Sequence, residues 1–264
     1  MSPNANHFKP ANKTKPPTGL FGALVIFAGL ILLYSLATDV TGWLDPMIFP
    51  GWKSIGPAGY ASAWQLLQGL LSSLGLLLPS VGLATLLGVI LGVTIGLRPR
   101  AQLVLAPLFN AMNSIPPTML IPYAIAVLPT FWISSAAIIF IGVFWPVLMS
   151  TLLGIALLEP RWLDNARCLN LKGRRLIFKV VLRGSMPQIC AGVRTGLIRS
   201  FVLLTVAEMF GTDSGMGYFV QYYSDYAKYD RVICGMLFLS FVVVALMSLF
   251  GHIQNRLLYW TKKR

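Results

Sequence analysis

Six apolar stretches dominate the chain, near residues 19–38, 70–97, 101–128, 132–157, 187–210 and 231–251. Each approaches or exceeds the ~20 residues that a helix needs to cross the hydrocarbon core of a bilayer. Lipid offers no water to an open backbone, so such stretches must satisfy their own N–H and C=O groups, and a helix does this within one segment. The expected fold is all-α: a polytopic helical membrane protein with six transmembrane helices. Charged residues make up 11% of the chain, against about 25% in ordinary soluble domains, and mean hydropathy is +0.72. Residues 1–18 read as a polar tail and 19–264 as one transmembrane domain, without a soluble domain, flexible linker or internal repeat. Ser35-Leu36-Ala37 has the small-x-small pattern of a signal-peptide cleavage site. The apolar run from Leu20 to Leu36 is nevertheless long for a signal peptide and fits an uncleaved first span.

The basic residues orient these spans. With the N-terminus in the cytoplasm, the inside segments hold Lys9, Lys13 and Lys15, then Arg98 and Arg100, then seven Lys and Arg within 159–187, then Arg256, Lys262, Lys263 and Arg264. The outside segments hold only Lys53, Lys228 and Arg231. Cytoplasmic loops carry the excess of Lys and Arg, which places both termini in the cytoplasm. The net charge of +13 is thus explained by membrane orientation, and with no RNA- or DNA-binding motif around the basic residues, nucleic acid is not an expected partner. Cys168, Cys190 and Cys234 lack metal-ligand spacing, and His7 and His252 stand near opposite ends, so no cofactor or metal is expected.

Within the spans, Ser80, Ala84, Gly88, Gly92 and Gly96 repeat every four positions and so share one smooth helix face. That stripe suits packing within one subunit or a dimer face. Span three carries Pro107, Pro116, Pro117, Pro122 and Pro129, and each interior proline removes a backbone hydrogen bond and bends the helix. Bent or broken helices are tolerated at membrane depth where they are buried or line a watery cavity, so Pro116, Pro117 and Pro122 mark a kinked span that either lines a pathway or is bent for packing alone. Aromatics gather near Trp43–Trp64 and Tyr218–Tyr229, as an interfacial belt would.

The segment 159–187 is a polar island. Trp162, Leu163, Ala166 and Leu169 recur at helical spacing, as do Leu176, Ile177, Val180 and Val181 after a break at 170–173. Two short amphipathic helices joined by a turn are expected, able to dock into a partner's groove or to lie on anionic membrane lipid.

These residues carry a family resemblance. The stretch 163–210 resembles the inner-membrane permease subunit of a binding-protein-dependent ABC importer, and more narrowly its nitrate/sulfonate/taurine/bicarbonate branch. The family's coupling loop reads E-A-A, three residues, G, nine residues, I-x-L-P. The matching positions here are Asp164-Asn165-Ala166, Asn170, Val180, Leu182 and Arg183. Downstream, Gly192-Val193-Arg194, Ala207-Glu208-Met209 and Gly215-Met216-Gly217-Tyr218 match the family's G-L-R, A-E-M and G-x-G-[YF] without a gap. Upstream, Ser114-Ile115-Pro116-Pro117 and Pro122 resemble its I-P-P…P segment.

The resemblance implies two permease subunits, as a homo- or heterodimer, each pressing a coupling helix into an ATPase subunit, with a binding protein delivering solute from outside. Asp164, Asn165, Ala166, Arg167, Leu169 and Asn170 would form the ATPase-coupling loop. The chain has no G-x-x-x-x-G-K-[ST], so the nucleotide site is expected on another polypeptide and no enzyme activity on this one. The loop departs from the pattern at four positions: Asp164 keeps an acid near an expected helix start, Asn165 replaces a methyl by an amide, Asn170 suits a left-handed turn, and Arg183 replaces a proline at an expected helix start. Arg199 stands near the middle of span five, where an ionisable residue is costly and marks function by default. It would give positive potential to an anionic solute, or form an intramembrane ion pair with Glu208 or a partner subunit; Arg194 suits anchoring. Rival readings are an ion-coupled secondary transporter or channel, against which the lack of an inverted repeat argues, and a non-conducting assembly subunit of a heterodimeric permease.

Overall fold

A computed structural model describes residues 18–260, so the tail at 1–17 and the terminal Lys262, Lys263 and Arg264 lie outside the described residues. The described chain forms two compact units, divided between Ser54 and Ile55. In the first, α1 (Thr18–Ser35) widens into a π-helical turn, Leu36–Val40. The Tyr34 hydroxyl donates to the Pro50 carbonyl at 2.9 Å, and the Tyr34 ring meets Trp52 edge-on at 5.8 Å. The Trp52 N–H donates to the Asp39 carboxylate at 3.3 Å.

The second unit is built around helices. α2 (Trp52–Gly96) is followed by α3 (Pro99–Ser114), α4 (Ile121–Val127), α5 (Phe131–Ala156), α6 (Pro160–Cys168), α7 (Gly173–Leu176), α8 (Leu182–Gly211), α9 (Met216–Asp225) and α10 (Tyr229–Leu257). Among the described residues, four continuous helices are long and apolar enough to cross a membrane: Trp52–Gly96, Phe131–Ala156, Gly173–Gly211 and Tyr229–Leu257. The apolar stretches near 19–38 and 101–128 are helical too, but the latter is divided, because Pro116 and Pro117 carry no N–H with which to continue α3. With 45 residues, α2 is about 67 Å long at 1.5 Å per residue, roughly twice the hydrocarbon thickness. It therefore takes in much of the aromatic stretch that precedes span two, including exposed Tyr60 and Trp64.

α5 is the centre of the unit, with 61% of its most apolar window buried against 17% for α10. One face meets α2. A methyl group at Gly88 would stand 3.0 Å from Val147, one at Gly92 2.6 Å from Thr151, and one at Gly96 2.7 Å from Ile155. The small-residue stripe of span two is thus consumed within the subunit. These pairs advance together, so α2 and α5 run in the same direction, and the segment between them, 97–130, returns the chain to its starting end. The other face of α5 meets α8 antiparallel: Gly192 lies against Ser150 and the Pro146 carbonyl, Gly196 against Val143, and Gly154 against Ser185. Leu76, Leu77 and Ala84 of α2, Ile138, Ile139 and Val147 of α5, and Phe201 and Leu204 of α8 close the core. Thr151, Ser80 and Ser185 are buried, and each hydroxyl donates to the carbonyl four residues earlier at 2.7 Å.

Replacing Gly92 by Leu should separate α2 from α5, because the added side chain has only Thr151 to enter. The thermal midpoint of the detergent-purified protein should fall by several degrees. Gly75→Ala, with open space around it, should hold or raise the midpoint, since glycine costs about 0.5–1 kcal/mol inside a helix.

Candidate functional site

The site begins at the break in the third apolar segment. Without N–H groups at Pro116 and Pro117, the Met112 and Asn113 carbonyls lose their usual helical donors; the Ile115 N–H reaches the former at 3.4 Å. The chain extends through Ile115 and Pro116, tightens into a 3₁₀ turn at Pro117–Leu120, and resumes as α4. Facing this break, α8 presents Arg199, Val202, Leu203, Val206 and Phe210, spaced three or four apart and so on one stripe. Asn113, Ser114, Pro116, Pro117, Arg199 and Val202 line a cavity of about 370 Å³. A second cavity, of about 340 Å³, shares Thr118 with it and is lined by Ile121, Pro122, Val206 and Phe210. The structure therefore brings Pro116, Pro117 and Arg199 together and sets Pro122 in the adjoining space. Exposed Arg199 donates through Nη1 to Asn113 Oδ1 at 3.4 Å.

Glu208 is elsewhere. It lies nine residues beyond Arg199 on the same helix, which puts the two on opposite faces and about 13 Å apart along the axis. Only 2% exposed, Glu208 does not pair with Arg199. Its Oε1 accepts from the Ser73 hydroxyl at 2.6 Å and its Oε2 from the Gly217 N–H at 2.8 Å, while the Met216 N–H donates to Ser73 Oγ at 3.0 Å. A buried carboxylate costs heavily unless its oxygens are filled, and here neutral donors fill them. The same contacts account for the glycines that follow. Gly215 has φ +127, and a methyl group there would strike the Glu208 carboxylate; one at Gly217 would meet the Thr205 carbonyl and Glu208 Cβ. The motif Ala207-Glu208-Met209 and the motif Gly215-Met216-Gly217 are thus two sides of one contact that ties α8 and the start of α9 to α2. Ser73 and Asn113, which complete the two sites, carry no signal of their own, because neutral polar residues recur throughout the spans.

The polar island forms a third group. α6 starts at Pro160, so Asp164 lies in its second turn and gains little from the helix dipole, which acts within the first. It pairs with Arg167 at 3.0 Å, the one ion pair among the described residues. Ala166 is buried, whereas Asp164, Asn165, Arg167, Leu169 and Asn170 are exposed. α6 ends with Asn170 at φ +51; the Leu171 N–H reaches the Ala166 carbonyl and the Asn170 N–H the Arg167 carbonyl, both at 2.9 Å. That paired closure needs a left-handed residue, and asparagine tolerates it best after glycine. The Trp162 ring lies where a Gly184 side chain would be. The second expected short helix is not separate: α7, a π-helical turn at Ile177–Val181 and α8 form one continuous helix, Gly173–Gly211. Arg183 lies inside it, where a proline would remove a bond to the preceding turn.

Residues 84–260 match the family model described as binding-protein-dependent transport system inner membrane component. The chain belongs to this family. It is a multi-pass inner-membrane permease of the ABC importer class, in the nitrate/sulfonate/taurine/bicarbonate branch. It is 27% identical over 205 residues to the taurine transport system permease protein TauC of Escherichia coli, covering 78% of this chain and 74% of TauC. Against the putative aliphatic sulfonates transport permease protein SsuC of Bacillus subtilis, identity is 28% over 243 residues, with 83% and 88% covered. The bicarbonate transport system permease protein CmpB of Synechocystis is 24% identical over 253 residues, with 91% and 87% covered.

In this permease, Gly215→Ala should lower the unfolding midpoint more than Glu208→Gln. The first places a side chain in a backbone region that costs about 1–3 kcal/mol outside glycine and collides with the carboxylate. The second keeps the shape, and the Ser73 hydroxyl can turn to accept from an amide. At the loop, Asn170→Gly should leave the midpoint unchanged, whereas Asn170→Val should lower it, because a branched residue in the left-handed region costs about 1–2 kcal/mol.

Proposed function

We propose that this chain is the pathway-forming permease subunit of an ATP-driven importer for a small anionic solute delivered by an external binding protein. The observation that carries this reading is Arg199: a cation in an apolar span, exposed to a cavity beside a proline-broken helix, with only a neutral carboxamide at 3.4 Å as its hydrogen-bond partner among the described residues. A positive charge held in a low-dielectric wall attracts an oxyanion and rejects cations. Taurine, aliphatic sulfonates and bicarbonate, named in the relatives above, all carry an oxyanion group.

The remaining elements support the same assembly. The parallel run of α2 and α5 suits a third crossing through 97–130, which with α1 gives six spans and both termini in the cytoplasm. The loop 159–187 then lies on the cytoplasmic side, where α6, seated by Trp162 and Ala166, turns Asp164, Asn165, Arg167, Leu169 and Asn170 outward toward an ATPase subunit. A second permease subunit, identical or not, completes the pathway along the open stripe of α8. ATP hydrolysis belongs to the separate ATPase chain, and Glu208 takes a structural role.

The test is uptake by the assembled transporter in proteoliposomes. Arg199→Leu should lower sulfonate or nitrate uptake by about tenfold or more, the effect of losing a charge-assisted contact of about 1.5–3 kcal/mol, while Arg199→Lys retains part of it. ATPase co-purification should be unaltered in both. Undiminished uptake by Arg199→Leu would overturn the pathway role.

A further inference from the structure

The largest of the cavities described here, about 580 Å³, lies away from the pathway. It opens between the polar loop and the chain's last described residues, and Trp162, Leu171, Lys179, Arg183, Tyr259 and Trp260 are among its lining residues. Its charge is one-sided. Lys179 and Arg183 stand one turn apart on the continuous helix, both exposed, and no carboxylate lines the space. The neighbouring Asp164 is occupied by Arg167. Apart from the Asn165 carboxamide, the rest of the wall is apolar or aromatic, with Tyr259 and Trp260 edge-to-face at 5.3 Å. The position is equally specific: the cavity lies near the start of one helix long and apolar enough to cross a membrane, Gly173–Gly211, and just past the end of another, Tyr229–Leu257.

We infer that this cavity binds the headgroup of an anionic phospholipid. A phosphodiester accepts from an arginine fork and a lysine ammonium together. Trp and Tyr favour the depth of headgroups, and Leu171 with Val180 gives the glycerol end an apolar wall. Lipid bound there bridges the loop bearing Asp164–Asn170 to the C-terminal aromatic pair, so membrane composition tunes how firmly α6 is seated. The inference rests on membrane placement and not on the ATPase reading, so either can fail alone.

Tryptophan fluorescence of the full chain in bilayer nanodiscs tests it, with brominated phosphatidylglycerol or brominated phosphatidylcholine as quencher. The component lost on Trp260→Phe should be quenched preferentially by phosphatidylglycerol, by up to about 30-fold in apparent affinity, as two basic side chains near an anionic headgroup supply. Lys179→Gln with Arg183→Gln should abolish the preference, and Lys179→Arg with Arg183→Lys should keep it; both pairs are exposed and spare the fold. Equal quenching by the two lipids would overturn the inference. So would survival of the preference in the double Gln variant, or its loss when the ATPase subunits are added, which would assign the cavity to an acidic protein surface.

Discussion

Close approach of α5 to the helices on either side supports everything else in this subunit. Lipid tails are as apolar as leucine, so the hydrophobic effect gives transmembrane helices little reason to associate, and contact has to come from packing. Gly88, Gly92 and Gly96 let α2 lie on Val147, Thr151 and Ile155, and Gly192 and Gly196 let α8 lie on Ser150 and Val143. With α2 and α5 parallel and α8 antiparallel to them, the chain between α2 and α5 has to travel back along the bundle. That return is the segment broken by Pro116 and Pro117, and it lies against α8. The cavities at Arg199 and Pro122 follow from this arrangement.

Two charged residues on α8 differ in how far the fold fills their hydrogen-bonding capacity. Glu208 faces inward, has both oxygens filled by Ser73 and Gly217, and locks α9 against α2. Arg199, on the opposite face, has Asn113 Oδ1 at 3.4 Å as its one hydrogen-bond partner among the described residues and borders a cavity. A buried charge with complete partners is already used by the fold. One that keeps an open side is not used up by the fold.

The polar loop is better formed than its departures from the family pattern suggest. Asn170 takes the left-handed turn that glycine would supply, Arg183 allows α7 and α8 to merge, and Asp164 finds Arg167. The local substitutions fit the local geometry, and the loop presents a defined helix and not a frayed connection.

All-α architecture, the six apolar stretches, the break at Pro116-Pro117 and the turn at Asn170 were legible in the sequence, because length, proline chemistry and left-handed backbone preference act locally. The spacing of Gly142, Pro146, Ser150 and Gly154, one every fourth residue, could also have located the α5–α8 contact. The nine-residue separation of Arg199 and Glu208 already excluded a pair within one straight helix, since a half-turn offset follows from 3.6 residues per turn. Tertiary structure alone decided that the stripe of span two packs on α5, that Ser73 fills the Glu208 carboxylate and that Asn113 meets Arg199. In each case the partner is distant in the chain, and a small, apolar or neutral polar residue leaves no local mark of what it will touch.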